Sequence, residues 1–220
     1  MSTYANPTAL LESVQEADES LVCLFRVALR ALAEADAGLA KTFSHGMIGA
    51  GGFYRRENHG LAYAVYEPQI VCEIFKAWIP HVRVKWESAV YPGTKRRADL
   101  AVFDDDLGAN VRWVFEAKWW GRNTEATLDT LRLDIKKLGE CNPRAKRRFL
   151  LTFWWTEDSG PAHSRALADV GDFCGKHPVV EIRYVGSIAT DCVAAADRRG
   201  VFTVAVLEVM SPSIASERIS

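Results

Sequence analysis

Two short apolar runs separated by a polar segment constrain the fold of this chain more than any other feature. The first run covers residues 97–103 and the second covers residues 111–120, and both are rich in β-branched and aromatic side chains. The segment between them contains three consecutive aspartates, a glycine and an asparagine, which are residues typical of turns. The pattern predicts two β-strands joined as a hairpin.

Strand geometry sorts the charged side chains of this hairpin. Successive side chains point to opposite faces of a strand, so Glu116 and Lys118 share one face and Ala117 points to the other. If Asp99 on the neighbouring strand faces the same way, two carboxylates and one lysine converge. Two carboxylates a few ångströms apart repel each other unless a divalent cation lies between them. Oxygen ligands of this kind suit Mg²⁺ or Mn²⁺.

The order and spacing of these residues resemble the core motif of the PD-(D/E)XK nuclease superfamily, which has the restriction-endonuclease-like fold. Asp99 stands 17 positions before Glu116, and Lys118 follows that glutamate by two. Both acids lie in apolar runs, as they do in the family, but Ala98 stands where the family often has proline. The resemblance covers roughly residues 60–155.

The resemblance implies a Mg²⁺-dependent phosphodiester hydrolase, a DNA endonuclease with RNA as an alternative substrate. Asp99 and Glu116 would hold one or two Mg²⁺ or Mn²⁺ ions, and the carbonyl of Ala117 would supply a further oxygen ligand. Lys118 would position or deprotonate the attacking water, or stabilise the transition state. One alternative is a non-catalytic module that binds nucleic acid or protein with the same fold, in which the acids serve the structure. Another is a salt-bridged strand pair, in which Glu116 and Lys118 pair on an exposed face and Asp99 only bonds the hairpin.

An amphipathic helix is predicted over residues 60–79. Its apolar side carries Ile70, Val71, Ile74, Phe75 and Trp78. Glu67 lies on this buried stripe, whereas Glu73 lies on the opposite face. In the family that the chain resembles, a carboxylate from the helix before the first strand often joins the metal site, which makes Glu67 the better catalytic candidate. The alternative is that Glu67 only caps the helix and favours its dipole.

A first core strand and a basic cluster precede the hairpin. Residues 82–87 alternate between apolar and charged side chains and predict the strand, whose last residue, Glu87, either reaches the rim of the site or pairs with Lys95 or Arg96 at the surface. Lys95, Arg96 and Arg97 are candidate contacts for backbone phosphates, although a solvated turn has the same composition. Because the 220-residue chain has a formal net charge of −1, affinity for nucleic acid has to come from such a local patch.

The remaining elements predict an α/β fold with a mixed central β-sheet flanked by helices. Residues 124–140 have helical periodicity, with Gly139 as a stop signal. Residues 148–155 are nearly all apolar, as expected of a strand buried beside a parallel neighbour and reached through a right-handed crossover. The elements predicted after these are a helix over residues 161–175, a strand over residues 179–185, and a final strand or edge segment over residues 201–210.

The predicted domain organisation has three parts. Residues 1–59 form an N-terminal helical region, with helical spacing of apolar residues over positions 8–40, followed by a glycine-rich connector. Residues 60–210 form the nuclease-like core, and residues 211–220 form a C-terminal tail. The sequence leaves open whether the N-terminal helices pack on the sheet of the same chain or on another copy.

Cysteine, histidine and hydropathy patterns exclude other classes of protein. The five cysteines are far apart and form no Cys-x-x-Cys pair, which argues against a disulfide framework or a zinc site, and most are expected to be buried. The five histidines are expected to be structural or exposed. Without a signal-like N-terminus or a long apolar run, the chain is expected to be cytoplasmic and without a membrane partner. Its expected partners are DNA and, as an open question, a second copy of the chain or another protein.

Overall fold

Six strands form a single mixed sheet at the centre of the fold. The computed structural model describes residues 19–44, 67–104, 110–120, 125–141, 145–156, 160–190 and 200–210. The strands are β1 (Arg83–Ser88), β2 (Ala98–Phe103), β3 (Val111–Trp119), β4 (Arg147–Thr156), β5 (Val180–Thr190) and β6 (Gly200–Val209), in the spatial order β1-β2-β3-β4-β6-β5. The helices within the described residues are α1 (Glu19–Ser44), α2 (Glu67–Trp78), α3 (Glu125–Gly139) and α4 (Pro161–Lys176). The predicted α/β class with a mixed sheet is confirmed.

β2 and β3 form the predicted hairpin. They pair antiparallel, with Leu100 opposite Phe115 and Phe103 opposite Val111. Most of the predicted polar turn between them, residues 105–109, lies outside the described residues. β1 pairs antiparallel with β2, and β3 pairs in parallel with β4, which follows α3 in the chain. The predictions of a hairpin and of a helix that connects two parallel strands are therefore confirmed.

The last strand lies in the interior of the sheet. β6 pairs antiparallel with both β4 and β5, so the prediction of an edge segment is wrong and that of a final strand is confirmed. Nearly all side chains of β6 are buried, whereas many of those of β5, which forms the edge, are half-buried. The apolar run of β6 needs cover on both faces of the sheet, which an interior strand obtains and an edge strand does not.

The helices cover both faces of the sheet. α1 and α2 pack on the face that carries Phe115 and Ala117 of β3. α3 and α4 pack on the opposite face, which carries Val114. Because side chains alternate along the strand, Glu116 and Lys118 point to the α3 side. Of the helices that the structure describes, none combines the length and the apolar character needed to span a membrane.

The N-terminal helix packs on its own chain. The ring of Phe25 in α1 lies 5.2 Å from the ring of Trp78 in α2 and 5.5 Å from that of Tyr184 in β5. The indole N–H of Trp78 donates a hydrogen bond of 2.9 Å to the carbonyl of Leu24. The described part of the N-terminal region therefore belongs to the core of the same chain. The predicted helical residues before Glu19 and the glycine-rich connector lie outside the described residues.

The docking of α1 on β5 requires a glycine, and this requirement can be tested. A Cβ atom added at Gly186 would lie 2.3 Å from Leu29 Cδ1 and 2.5 Å from the Tyr184 hydroxyl, and both neighbours are buried. We expect Gly186→Ala to lower the free energy of unfolding by about 1–3 kcal/mol through overpacking. Urea denaturation measures this, with Gly171→Ala as the matched control. A Cβ atom at Gly171 in α4 would meet nothing within 4 Å, so this change should stabilise the protein by about 0.5–1 kcal/mol.

The cysteines are less buried than predicted. Cys141 is buried, Cys72 and Cys174 are half-buried, Cys23 is exposed on the outer side of α1, and Cys192 lies outside the described residues. The prediction that most are buried is therefore wrong for the described ones, because Cys23, Cys72 and Cys174 lie on helices that have a solvent-facing side. Burial raises the pKa of the Cys174 thiol to about 12, so it remains protonated at neutral pH.

The described histidines are structural or exposed. The ring of His163 lies 6.4 Å from that of Trp154, and the ring of His177 lies 4.5 Å from that of Phe173. Burial lowers the pKa of both histidines, which keeps them uncharged at neutral pH. His81 is exposed. These placements agree with the prediction of structural or exposed positions for the three histidines that the structure describes.

Candidate active site

The site lies where β3 extends beyond β2. The pairing between the two strands ends at Phe115, but β3 continues to Trp119. Carboxylates take the place of the missing strand and accept hydrogen bonds from the backbone of β3. Asp99 Oδ2 accepts the N–H of Ala117 at 2.7 Å. Glu67 Oε2, from the first turn of α2, accepts the N–H of Trp119 at 2.8 Å. Backbone N–H groups inside a protein need acceptors. On the side of β3 where β2 has ended, Asp99 and Glu67 supply them, and this fixes the positions of two of the predicted acids.

Glu116 is held on two sides by residues from other elements. Its side chain is almost fully buried and points to the α3 side of the sheet. The hydroxyl of Tyr91, in the loop between β1 and β2, donates a short hydrogen bond to Glu116 Oε1. Lys137 Nζ, from α3, lies 2.5 Å from Glu116 Oε2. The lysine also donates a 2.9 Å hydrogen bond to the carbonyl of Arg97.

Lys118 pairs with acids from two helices and is separate from the Glu116 pair. Its ammonium nitrogen lies 3.5 Å from Glu67 Oε1 and 3.5 Å from Asp134 Oδ2 of α3. Glu67, Asp99, Glu116 and Asp134 form a group of carboxylates that we call the acidic cluster. The alternative of a salt-bridged strand pair does not describe this arrangement, since both salt bridges run from β3 to helices.

Burial dominates the electrostatics of the acidic cluster. It raises the pKa of all four carboxylates above their ordinary values, and that of Glu116 reaches about 7 although hydrogen bonds from Lys137 and Tyr91 oppose the shift. The charge of Asp99 raises the pKa of each of the other three acids further. Asp99 therefore lies within electrostatic range of the other three acids.

The pKa of Lys118 shows how strong the negative field of the cluster is. Burial alone would lower it, because burial disfavours a charged ammonium group. The charges of Asp134, Glu67 and Asp99 outweigh that effect, and the pKa lies above its usual range. Lys118 is therefore protonated at neutral pH.

The donor atoms of the cluster suit a hard divalent cation, but lysines hold the space beside them. Carboxylate and carbonyl oxygens are the ligands that Mg²⁺ and Mn²⁺ prefer. In the part of the chain that the structure describes, no group of three acidic, histidine or cysteine side chains is arranged so that it could hold a metal ion. Lys137 covers one oxygen of Glu116, and Lys118 lies within reach of two further acids. The chemistry of Asp99 and Glu116 thus fits Mg²⁺, provided that the ion replaces a contact now made by an ammonium group.

The predicted phosphate contacts lie on the loop that leads into β2. Lys95 is exposed, and Arg96 forms a surface ion pair of 3.0 Å with Glu140. Arg97 is also exposed, and its carbonyl accepts the hydrogen bond from Lys137 that was described above. Of the basic cluster, Arg97 contacts Lys137, and Lys137 pairs with Glu116 of the acidic cluster.

Glu87 also lies at this rim. It is exposed at the end of β1 and has a φ of 47°, a conformation that non-glycine residues rarely adopt. Its carbonyl accepts a 3.2 Å hydrogen bond from Arg97, and its charge contributes to the raised pKa of Asp99. This agrees with the first of the two predicted placements, at the rim of the site. The second predicted placement had Glu87 paired with Lys95 or Arg96, but Arg96 pairs with Glu140.

Three residues of the site were not predicted: Tyr91, Asp134 and Lys137. A signal existed for Asp134, because it lies three positions after Leu131 and four before Leu138, which are both fully buried. A charged residue on the buried stripe of a helix needs a partner, and that observation points to the sheet below it. Tyr91 carried no comparable signal, since it lies in an irregular loop.

The raised pKa of Glu116 predicts the pH dependence of stability. Between its ordinary value of 4.5 and about 7, the folded protein keeps a proton that the unfolded chain releases, so stability falls as the pH rises through this window. A shift of this size corresponds to about 3 kcal/mol at most. We expect Glu116→Gln to remove this contribution, so urea denaturation should show a smaller loss of stability between pH 5 and pH 8 than in the wild type. Glu73→Gln, which changes a surface carboxylate of α2, should keep the wild-type slope, and an unchanged slope in Glu116→Gln would contradict the assignment.

Comparisons of the chain with protein-family models, with curated proteins and with solved structures found no match.

Proposed function

We propose that this chain is a Mg²⁺-dependent phosphodiester hydrolase of the PD-(D/E)XK type that acts as a DNA endonuclease. The observation that supports it best is that Asp99 and Glu67 accept the backbone N–H groups on either side of Lys118, two residues after Glu116, where β2 and β3 part. Placing one buried and three half-buried carboxylates near one another is unfavourable, and such clusters of perturbed acids are typical of functional sites. A simple salt bridge between neighbouring strands would need neither Glu67 nor Asp134.

The architecture supports the restriction-endonuclease-like fold that the sequence resemblance implies. The motif residues lie on adjacent strands in the middle of a mixed sheet, and helices cover both faces of that sheet. The helix before the first strand, α2, carries Glu67 with its carboxylate directed at the end of β3. Glu73 of the same helix instead pairs with Lys76 at the surface. Glu67 is therefore the helix carboxylate of the proposed site.

Asp99 and Glu116 would hold the metal ion, with the carbonyl of Ala117 as a further ligand. The N–H of Ala117 points to Asp99, and the N–H and C=O of one strand residue face the same neighbour, so this carbonyl faces the Asp99 side. When bound, Mg²⁺ or Mn²⁺ lowers the pKa of a coordinated water and neutralises charge on the scissile phosphate.

Lys118 would act on the water or on the phosphate from the rim of the cluster. Its side chain is 29% exposed, and Glu67 and Asp134 hold its ammonium group at 3.5 Å each. Because its raised pKa keeps it protonated, it suits the orientation of water and the stabilisation of transition-state charge better than the removal of a proton.

Cleavage assays test the proposal directly. Supercoiled plasmid and labelled linear DNA are incubated with the protein in Mg²⁺, in Mn²⁺ and in EDTA, and an RNA competitor decides between the two nucleic acids. We expect metal-dependent nicking or linearisation by the wild type and none by Asp99→Ala. Equal cleavage by wild type, Asp99→Ala and Lys118→Ala would overturn the proposal, because the activity would then come from elsewhere.

A non-catalytic binding module is the second candidate, and one observation favours it. Lys137 and Lys118 form ion pairs with Glu116, Glu67 and Asp134, so three of the four carboxylates have an ammonium partner without a metal. In that case the protein would shift DNA in a gel-shift assay but would not cleave it in the presence of any divalent metal ion. The cleavage assay therefore separates the two candidates.

The two glutamates of α2 give a matched test of the helix carboxylate. In Glu67→Gln the amide oxygen can still accept the N–H of Trp119, but the ion pair with Lys118 is lost. We expect the cleavage rate to fall by about 10- to 100-fold, as for other residues that orient a catalytic group. Glu73→Gln, at the surface of the same helix, should cleave at the wild-type rate. Similar rates for both variants would remove Glu67 from the site.

A further inference from the structure

An open groove runs along the outer edge of the sheet beside the acidic cluster. It has a volume of about 630 Å³, within the range of roughly 300–1,000 Å³ that is typical of ligand sites. Phe75, Lys85, Trp86, Glu87 and Arg97 are among the residues that line it. β1 is the terminal strand of the sheet, so its outer side pairs with no strand of the described residues.

The groove has an aromatic wall. Trp86 is 39% exposed, which is unusual for so large an apolar side chain. Its ring lies 6.2 Å from the ring of Phe75 in α2, at an interplanar angle of 43°. Phe75 supports the indole from behind and is itself half-buried. A flat, supported and partly exposed indole is a surface on which a nucleic-acid base can stack.

The lining of the groove is basic on the other face of β1, because Lys85 lies on the opposite side of the strand from Trp86, with its ammonium nitrogen 4.8 Å from the centre of the Phe103 ring. Lys85 and Arg97 line the groove and are exposed, against the single acid Glu87 among the lining residues. Arg83 precedes Lys85 by two positions on the same strand, so both side chains lie on one face of β1, and both are exposed. In a chain with a formal net charge of −1, this local concentration of positive charge is complementary to a phosphate backbone.

The groove leads to the acidic cluster through Arg97. The guanidinium group of Arg97 donates to the carbonyl of Glu87 at 3.2 Å, which fixes the side chain at the inner end of the groove. The backbone carbonyl of Arg97 accepts a hydrogen bond from Lys137, and the ammonium group of Lys137 also contacts Glu116. Arg97 therefore links the lining of the groove to Lys137 and Glu116 at the proposed metal site.

We propose that this groove binds an unpaired nucleotide strand next to the scissile phosphate, and that the nucleotide strand crosses the open edge of β1 with bases on Trp86 and phosphates on Lys85 and Arg97. Bases inside a duplex stack on one another and cannot offer a face to an indole, whereas unpaired bases can. This inference rests on the proposed function and narrows its substrate to nucleic acid with a single-stranded segment at the cleavage point.

Binding measurements without catalysis test the groove separately from the activity. Fluorescence anisotropy in EDTA compares a labelled oligothymidylate, the corresponding oligouridylate and a fully paired hairpin. We expect both single strands to bind more tightly than the hairpin, and Trp86→Ala to weaken single-strand binding roughly tenfold. Trp86→Phe should restore most of the affinity. Ile79→Ala, which removes another exposed apolar side chain outside the lining of the groove, should bind like the wild type.

The basic residues of the lining give an independent test of the groove. Lys85→Ala should weaken binding of all strands and reduce the slope of affinity against salt concentration by about one. The thermal melting of each variant confirms that it is folded. If the wild type cleaves DNA but Trp86→Ala and Lys85→Ala bind and cleave like it, the groove is rejected and the proposed function stands. If these variants lose binding in a protein that never cleaves, the groove stands and the proposed function is rejected.

Discussion

Replacing Lys118 by methionine is expected to lower the cleavage rate by about 10²–10⁴-fold while divalent metal still binds. The side chain emerges from β3 two positions after Glu116 and has its ammonium group held by Glu67 and Asp134. Methionine keeps most of the volume but not the positive charge, so the change removes the group that would stabilise charge on the phosphate. The proposed ligands Asp99 and Glu116 remain in place, and removing a nearby cation cannot weaken the binding of another cation through charge repulsion.

Single-turnover cleavage and isothermal titration with Mg²⁺ separate the two parts of this prediction. Lys136→Met is the matched control, because Lys136 is an exposed lysine next to Lys137 on α3 and should tolerate the change. Thermal melting shows whether Lys118→Met is folded despite the two carboxylates that it leaves without their ammonium partner. A variant of Lys118 that is folded, binds Mg²⁺ and cleaves at the wild-type rate would show that the lysine has no part in the reaction.

The secondary structure was predictable because local periodicity and burial agree along most of the chain. The apolar run of β4 and the hairpin of β2 and β3 are read directly from residues 97–103, 111–120 and 148–155, since each strand is covered on both faces. α2 and α3 have apolar stripes that match the sheet on which they pack. Strand order was not predictable to the same degree. The interior place of β6 depends on its pairing with β4 and β5, and no local pattern specifies which neighbours a strand selects.

The same distinction applies to the site. The positions of Asp99, Glu116 and Lys118 on adjoining strands and of Glu67 on the preceding helix could be predicted, because strand alternation and helical spacing are local features of the sequence. Which helix side chains contact these strand residues depends on how each helix packs on the sheet, and local spacing in the sequence does not specify that packing. Lys137 of α3, which contacts Glu116, is such a case. The helix was predicted, but the position of the helix relative to β3 was not.

Lys137 is well placed to act as a built-in counter-ion for Glu116. Its ammonium nitrogen lies 2.5 Å from Glu116 Oε2, 2.9 Å from the carbonyl of Arg97 and 5.2 Å from the centre of the Tyr91 ring. Three contacts fix it, and the side chains of the pair are only 21% and 3% exposed. A divalent cation that binds Glu116 would need the oxygen that this lysine now covers, so lysine and metal compete for one site.

Lys137→Met should therefore have opposite effects on the free and the metal-bound protein. Without metal, the buried carboxylate of Glu116 loses its counter-charge, and we expect the free energy of unfolding to fall by roughly 3 kcal/mol at pH 8, with a smaller loss at pH 6, where Glu116 can hold a proton. With metal, the competitor is gone, so Mg²⁺ should bind more tightly and raise the melting temperature more than in the wild type. Thermal melts over a range of Mg²⁺ concentrations measure both effects, with Lys136→Met as the control. Weaker Mg²⁺ binding in Lys137→Met would instead mean that the lysine orients Glu116 for the metal.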